Sequence, residues 1–176
     1  LRVVKTHKTI REALIALLDE QDYTQISVQD IIDRAMVNRS TFYKYYSGKG
    51  DLAWKMLNDF KTDYSAALEK RFADENPRTM LQQAVPVFFE QRHLLLALWK
   101  IRSGRLHLYD DMHQILYKAY ADHPRNAGHR GNVDYQATIF ATIALATAKY
   151  YLERDQPVPM DSTAGELSSV IARLEV

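Results

Sequence analysis

The sequence predicts an all-α fold in two parts: a small N-terminal helix-turn-helix domain and a larger C-terminal helical domain. Three observations predict it. Apolar residues recur at helical spacing along nearly the whole chain. Alternating β-branched runs and Asn-Gly or Asp-Gly hairpin turns are absent. Near the start, two short helices flank a tight turn and are braced by a longer helix ahead of them.

Taken in order, Ile10, Leu14, Leu17 and Leu18 mark the apolar face of a first helix, with basic residues opposite. It should stop near Glu20, where Gln21-Asp22-Tyr23-Thr24 breaks the pattern. Ser27 reads as the N-cap of a second, short helix, with Asp30 three residues on favouring the positive helix end. Val28, Ile31, Ile32 and Ala35 form its stripe. Met36-Val37 is the turn, and Asn38 caps a third helix to about Tyr46. After the break at Ser47-Gly48-Lys49-Gly50, Asp51 caps a long fourth helix to about Phe72. Composition shifts at Ala73-Asp74-Glu75-Asn76-Pro77, and the boundary falls inside the fourth helix or at this loop.

Beyond it, Thr79 to Arg92 is a helix kinked by Pro86. An apolar helix from Leu94 to Ile101 ends at Ser103-Gly104, and Leu106 to Asp122 is amphipathic. Pro124 to Asn132 is a long loop, and Val133 to Arg154 a helix rich in small residues. Pro157-Val158-Pro159 leads to a last helix, from Ser162 or Thr163 to Leu174.

Bulk properties narrow the classes. With 47% apolar and 26% charged residues, the 176-residue chain buries a core without staples. The absence of cysteine excludes disulfides, thiolate zinc sites and cysteine nucleophiles, and fits a reducing cytoplasm. No stretch approaches the ~20 apolar residues that span a bilayer, and no secretory leader is visible, so a cytoplasmic protein without membrane association is expected. Because Leu1 is not methionine, further sequence ahead of it is also expected.

The net charge of +1 does not point to nucleic acid, but its distribution does. Arg34, Arg39, Lys44 and Lys49 fall between residues 34 and 50 with no acid among them. Arg2, Lys5, Lys8 and Arg11 do the same at the start. A recognition helix must present hydrogen-bonding side chains to the major groove and an apolar back to its scaffold. Residues 38 to 46 meet both demands. Asn38, Arg39, Ser40 and Thr41 supply donors and acceptors, and Val37, Phe42 and Tyr46 fall on the buried face. Tyr43, Lys44 and Tyr45 sit where phosphates flank the groove. DNA contact is therefore expected from roughly residues 24 to 50.

The run from Val28 to Leu52 resembles the N-terminal domain of TetR/AcrR-type transcriptional regulators. That family's pattern is an Ile-Ala pair, a Gly-Val turn, a Thr-Phe-Tyr-x-His/Tyr-Phe stretch and a Ser-Lys-x-x-Leu sequence, and this run reads Ile31-Ile32, Met36-Val37, Thr41-Phe42-Tyr43-Lys44-Tyr45-Tyr46 and Ser47-Gly48-Lys49-Gly50-Asp51-Leu52. The likeness extends over roughly residues 5 to 60. It implies a homodimer on a double-stranded DNA operator, most simply as a repressor. Ser27 and its neighbouring amides would hold phosphate, as would Tyr43, Tyr45 and Lys49. Arg39, Ser40 and Thr41 would reach base edges, and Lys44 either phosphate or base. This chain departs from the pattern in three places: Met36 for the usual turn glycine, Tyr46 for phenylalanine, and Gly50 where an acid is common. Tyr46 is harmless if its hydroxyl reaches water, and Gly50 would loosen the start of the fourth helix.

On the same resemblance, residues 1–50 form the DNA-binding domain, and residues 51–176 dimerise and take up a small-molecule effector. Alanines 137, 141, 144, 146 and 148 permit close helix approach, and Leu167, Val170, Ile171 and Leu174 add apolar surface. The dimer is thus expected through helices near 133–154 and 162–174. Phe88, Phe89, Trp99, Tyr109, Met112, Tyr117 and Tyr120 are candidate pocket residues, or simply core. His107, Asp110, Asp111 and His113 include a metal-ligand spacing that solvated helix charges explain as well, and no metal or cofactor is expected. No phosphate loop or nucleophile elbow is present, so no enzyme is expected. The alternative is an adaptor of the same fold whose larger domain docks a protein partner.

Overall fold

The computed structural model describes residues 2–72, 89–104, 106–123 and 131–159, together with the helical positions 165, 166, 169, 172 and 173. Its elements are α1 (Arg2–Glu20), α2 (Val28–Ala35), α3 (Arg39–Tyr45), α4 (Lys49–Phe72), α5 (Arg92–Trp99), β1 (Arg102–Ser103), β2 (Leu106–His107), α6 (Leu108–Ala121) and α7 (Val133–Glu153). The chain forms two units. One comprises Leu1–Ser65 with His93–Met112, the other Ala66–Arg92 with His113–Val176. The fold is all-α, as the periodicity implies.

In the first unit α1 buries Ile10, Leu14, Leu17 and Leu18, and α2 packs Ile31, Ile32 and Ala35 against it. Leu52, Ala53, Met56, Leu57 and Phe60 extend the core from α4; Leu95, Leu98, Ile101, Leu108 and Met112 close it from α5 and α6. The C-terminal end of α1 needs cations for its exposed carbonyls, and its own last turn has none. Other segments supply them. Lys100 Nζ donates to the Leu18 carbonyl at 2.9 Å, and His93 Nε2 lies 2.6 Å from Asp19. Arg34 clasps Glu20 with both terminal nitrogens, at 2.9 and 2.7 Å.

In the second unit, α7 turns Ala137, Ala141, Leu145 and Leu152 inward. The face opposite carries Tyr135, Ile139, Ala146 and Tyr150, all exposed. Asn132 caps the helix by accepting from the Tyr135 amide at 3.0 Å. Polar ties from α6 then set the register: Tyr117 donates to Asp134 at 2.5 Å, and His113 Nε2 lies 3.0 Å from the Thr142 hydroxyl. No helix among the described residues is long and apolar enough to cross a membrane.

Four local expectations change. Residues 102–103 and 106–107 pair as two short antiparallel strands rather than ending one helix and starting the next, with Arg102 opposite His107 and Ser103 opposite Leu106. Gly104 follows the first strand at φ +57°, a conformation open to glycine, and His107 Nε2 meets the Gly104 carbonyl at 2.7 Å. The amphipathic helix therefore begins at Leu108. Helix α4 starts at Lys49, so Asp51 is not its N-cap. Its carboxylate sits in the first turn and reaches back to the Ser47 amide at 2.9 Å. Gly50 lies inside that turn. Asn38 occupies the N-cap position of α3, yet its exposed side chain makes no capping bond. The segment predicted as a Pro86-kinked helix lies outside the described residues except for 89–92. The apolar positions of the last helix (Leu167, Val170, Ile171 and Leu174) lie outside them too.

Candidate nucleic-acid interface

Helix α2 opens with a complete capping box. The Ser27 hydroxyl accepts from the Asp30 amide at 3.1 Å, and Asp30 Oδ2 accepts from the Ser27 amide at 2.7 Å. The same oxygen takes the Ser27 hydroxyl proton at 2.7 Å. These bonds hold the Asp30 carboxyl below its ordinary range. Ser27's own groups are thus already satisfied. The amides of Val28 and Gln29, with no helical carbonyl to meet, are the ones presented outward.

The helix ends on Met36 in the left-handed region, φ 50° and ψ 44°. Its amide donates to Asp33 and the Val37 amide to Ile32, each at 3.2 Å, which closes the last carbonyls of α2. Met36 thus adopts a conformation that glycine takes freely, with its side chain 90% exposed. The chain then enters α3, which is fixed from behind by the fully buried Phe42 and by Tyr46, just past its end.

Around that anchor, Arg39, Ser40, Tyr43 and Lys44 are exposed and Thr41 and Tyr45 are half-buried. Arg39 is organised by its neighbours: it donates to Gln29 Oε1 at 3.2 Å and lies 5.4 Å over the Tyr43 ring. Tyr43 in turn stands edge-on to Phe42, with 5.4 Å between centroids. Tyr45 packs on the His7 ring at 4.3 Å, and its carbonyl accepts from Lys55 Nζ at 3.0 Å.

The Tyr46 hydroxyl does not reach water. It lies 2.8 Å from His7 Nδ1 and accepts from Arg11 Nε at 3.5 Å, while Arg11 also bonds Asp59 at 2.6 Å. The ring is nearly fully buried, so α1 supplies the partners that solvent cannot. Burial, then the charges of Arg11 and Lys55, lower the His7 pKa. The hydroxyl thus bridges the His7 ring and the Arg11 guanidinium. Lys49, the first residue of α4, turns inward to the carbonyls of Tyr23 and Ile26 at 2.7 and 2.5 Å.

The structure thus gathers Arg39, Ser40, Tyr43 and Lys44 on the open side of one short helix. Gln29, Lys55 and His7 support that surface and were not among the sequence candidates. Only Gln29 left a signal, on the polar side of α2. The aromatic candidates divide between the two units. In the first, the Trp99 indole N–H donates to Met112 Sδ at 3.4 Å and Tyr109 stands edge-on to it at 5.3 Å. In the second, Tyr117 bonds Asp134, and Tyr120 packs on Phe140 at 5.0 Å. Phe89 is half-buried, and Phe88 lies outside the described residues. Of the residues with metal-ligand spacing, His107 meets Gly104, Asp111 pairs with Lys61 at 2.8 Å, and His113 meets Thr142.

A donor-rich helix on an apolar back, joined through a left-handed turn to a capped partner helix, defines a helix-turn-helix protein. Residues 10–54 match the family described as bacterial regulatory proteins, tetR family. Over 107 residues it is 32% identical to the HTH-type dhaKLM operon transcriptional activator DhaS of Lactococcus lactis subsp. lactis (strain IL1403), covering 54% of this chain and 57% of that one. The chain spans little more than half the length of that curated relative and smaller shares of others. Two solved structures share the fold. A transcriptional regulator from Aquifex aeolicus VF5 has a TM-score of 0.66 at 15% identity, over 96% of this chain and 99% of that one. A dihydroxyacetone kinase operon activator DhaS has a TM-score of 0.53 at 18% identity, over 96% and 95%.

Proposed function

We propose that this chain regulates transcription as a homodimer that reads a near-palindromic DNA operator in the cytoplasm. Residues 1–50 contact DNA; residues 51–176 dimerise and take up a small-molecule effector. The observation that carries the reading is α3, whose exposed Arg39, Ser40, Tyr43 and Lys44 stand on a back fixed by Phe42 and Tyr46. Arg39 and Ser40, with the half-buried Thr41, reach base edges from the N-terminal end, beside Asn38. Tyr43, Lys44 and Tyr45 flank them toward phosphate. Ser27 contributes by fixing the start of α2, whose outward amides meet a phosphate.

The exposed α7 face of Tyr135, Ile139, Ala146 and Tyr150 supports a two-fold interface through that helix, to which the predicted helix near 162–174 would add. Two recognition helices on that axis enter successive major grooves, about 34 Å apart. An effector preferring another spacing of the helices releases DNA by shifting the population between two arrangements. Repression by occupancy is the simplest outcome. Activation is the second reading, favoured by the relative named as an operon transcriptional activator.

The test is fluorescence anisotropy of the protein on the duplex upstream of its own gene, beside a scrambled duplex, at several salt concentrations. Binding should prefer the upstream duplex. If a dimer neutralises about 8 phosphates, log affinity falls with log salt at a slope near about −7. Arg39→Ala should lower the preference by about 1–3 kcal/mol. Equal, weak binding to both duplexes, with and without candidate effectors, would sink the reading.

A further inference from the structure

A lysine at the first position of a helix stands at the wrong end of the dipole, so something else must hold it there. Lys49 begins α4 and is held inward. Its ammonium donates to the Tyr23 carbonyl at 2.7 Å and the Ile26 carbonyl at 2.5 Å, and lies 4.4 Å over the Tyr23 ring. Tyr23 and Ile26 are both buried, and Ile26 immediately precedes the N-cap of α2. An ammonium has three N–H groups, and two are committed here to the backbone of one turn. The turn contributes only one local backbone bond of its own, from the Gln25 amide to the Asp22 carbonyl at 2.9 Å. The side chain is partly desolvated, which lowers its pKa, with the Asp30 carboxylate acting the other way.

We propose that Lys49 is a positioning residue: it clamps the Tyr23–Ile26 turn from the first turn of α4 and so sets where α2 begins, instead of donating to a phosphate. The proposal rests on the DNA-binding reading for its consequence, but not for the clamp itself. A phosphate ligand aims its ammonium outward and contributes to counterion release. A clamp acts through the amides at the start of α2, which carry no charge to exchange. Removing it loosens Ser27, Val28 and Gln29 together, and with them the angle at which α2 and α3 meet the duplex.

Two variants separate the roles. Lys49→Met removes the ammonium. Tyr23→Leu keeps the ammonium and its charge but removes the ring beneath it. Amide hydrogen exchange is read first, on the DNA-free protein. Lys49→Met, which loses both hydrogen bonds from a charged group, should expose residues 23–30 to exchange about tenfold faster, and Tyr23→Leu, which keeps both carbonyls and loses only the ring beneath the ammonium, should do so by a smaller factor. DNA affinity is then measured across salt. Both variants should bind about tenfold less tightly at one salt concentration while the slope of log affinity against log salt stays at the wild-type value.

Unchanged exchange at 23–30 in both variants overturns the clamp. A salt slope shallower by ~0.9 for each lost contact in Lys49→Met, with Tyr23→Leu binding like wild type, also overturns it and makes Lys49 a phosphate ligand. If wild type binds no DNA, the regulatory reading fails, and the exchange arm still decides the clamp. Should Lys49→Met fail to fold, Tyr23→Leu carries both measurements.

Discussion

Replacing Met36 with glycine should stabilise the helix-turn-helix unit. Met36 ends α2 at φ 50° and ψ 44°, where an L side chain crowds the backbone. That conformation costs an ordinary residue about 1–2 kcal/mol, and glycine is free of it. Glycine also widens the unfolded ensemble, which costs about 0.4–1 kcal/mol. Because Met36 is 90% exposed, its removal forfeits almost no packing. The difference leaves a net gain of about 0.5–1 kcal/mol. The assay is urea unfolding followed by tryptophan fluorescence. The two tryptophans, Trp54 and Trp99, both lie in the unit that carries Met36, so the signal reports that unit. The midpoint should rise with an unchanged slope. Met36→Ala keeps the left-handed cost and should move the midpoint little, whereas β-branched Met36→Val should lower it. If glycine and alanine gave the same midpoint, the backbone at residue 36 would not be strained and the reasoning would fail.

Three further outcomes follow from the geometry. Tyr46→Phe should cost about 1 kcal/mol, because His7 and Arg11 lose a buried partner; adding His7→Leu should recover part of that loss, read as a double-mutant cycle in urea. The depressed His7 pKa makes stability pH-dependent with a defined sign. As pH falls through the ordinary value of 6.5, the unfolded chain takes the proton before the folded one does, so stability present above that pH is lost below it. Unfolding midpoints measured downward from pH 7 should therefore decline less steeply in His7→Gln than in wild type. On α7, Ile139→Asp with Tyr150→Glu should convert a dimer to a monomer in sedimentation velocity without moving the tryptophan unfolding transition.

What the sequence made legible were features whose cause is local. Ile10, Leu14, Leu17 and Leu18 lie on one helical face and are all buried, because a period of 3.6 leaves no other common side. Ser27 and Asp30 close on each other because three residues is the reach of a capping box. Illegible features have partners far along the chain. Periodicity tells that Tyr46 faces inward but not that His7, 39 residues earlier, waits for its hydroxyl. It leaves Lys49 in the break before the fourth helix and cannot name the carbonyls 26 and 23 residues back. The strand pair escaped for a different reason: two-residue strands are too short to alternate, and Ser103-Gly104 alone reads equally as a helix stop.

The two helices of the motif treat their N-termini in opposite ways, and the contrast bears on function. Helix α2 closes its N-cap through Ser27 and Asp30 and leaves the Val28 and Gln29 amides outward, whereas α3 follows Asn38 with no side-chain cap and no acid in its first turn. An uncapped start leaves amide donors for water or for an anion. Asn38→Asp tests this, since it sets a carboxylate at the positive end of α3 with little change in shape. Stability should rise by about 0.5 kcal/mol at low ionic strength. Affinity for the upstream duplex should fall about tenfold or more, because the new charge faces the phosphates and base edges that Arg39 and Ser40 serve. A variant that gained stability and bound DNA as wild type does would mean that the N-terminal end of α3 is not the end that enters the groove, and the base-reading roles of Arg39, Ser40 and Thr41 would have to be given up.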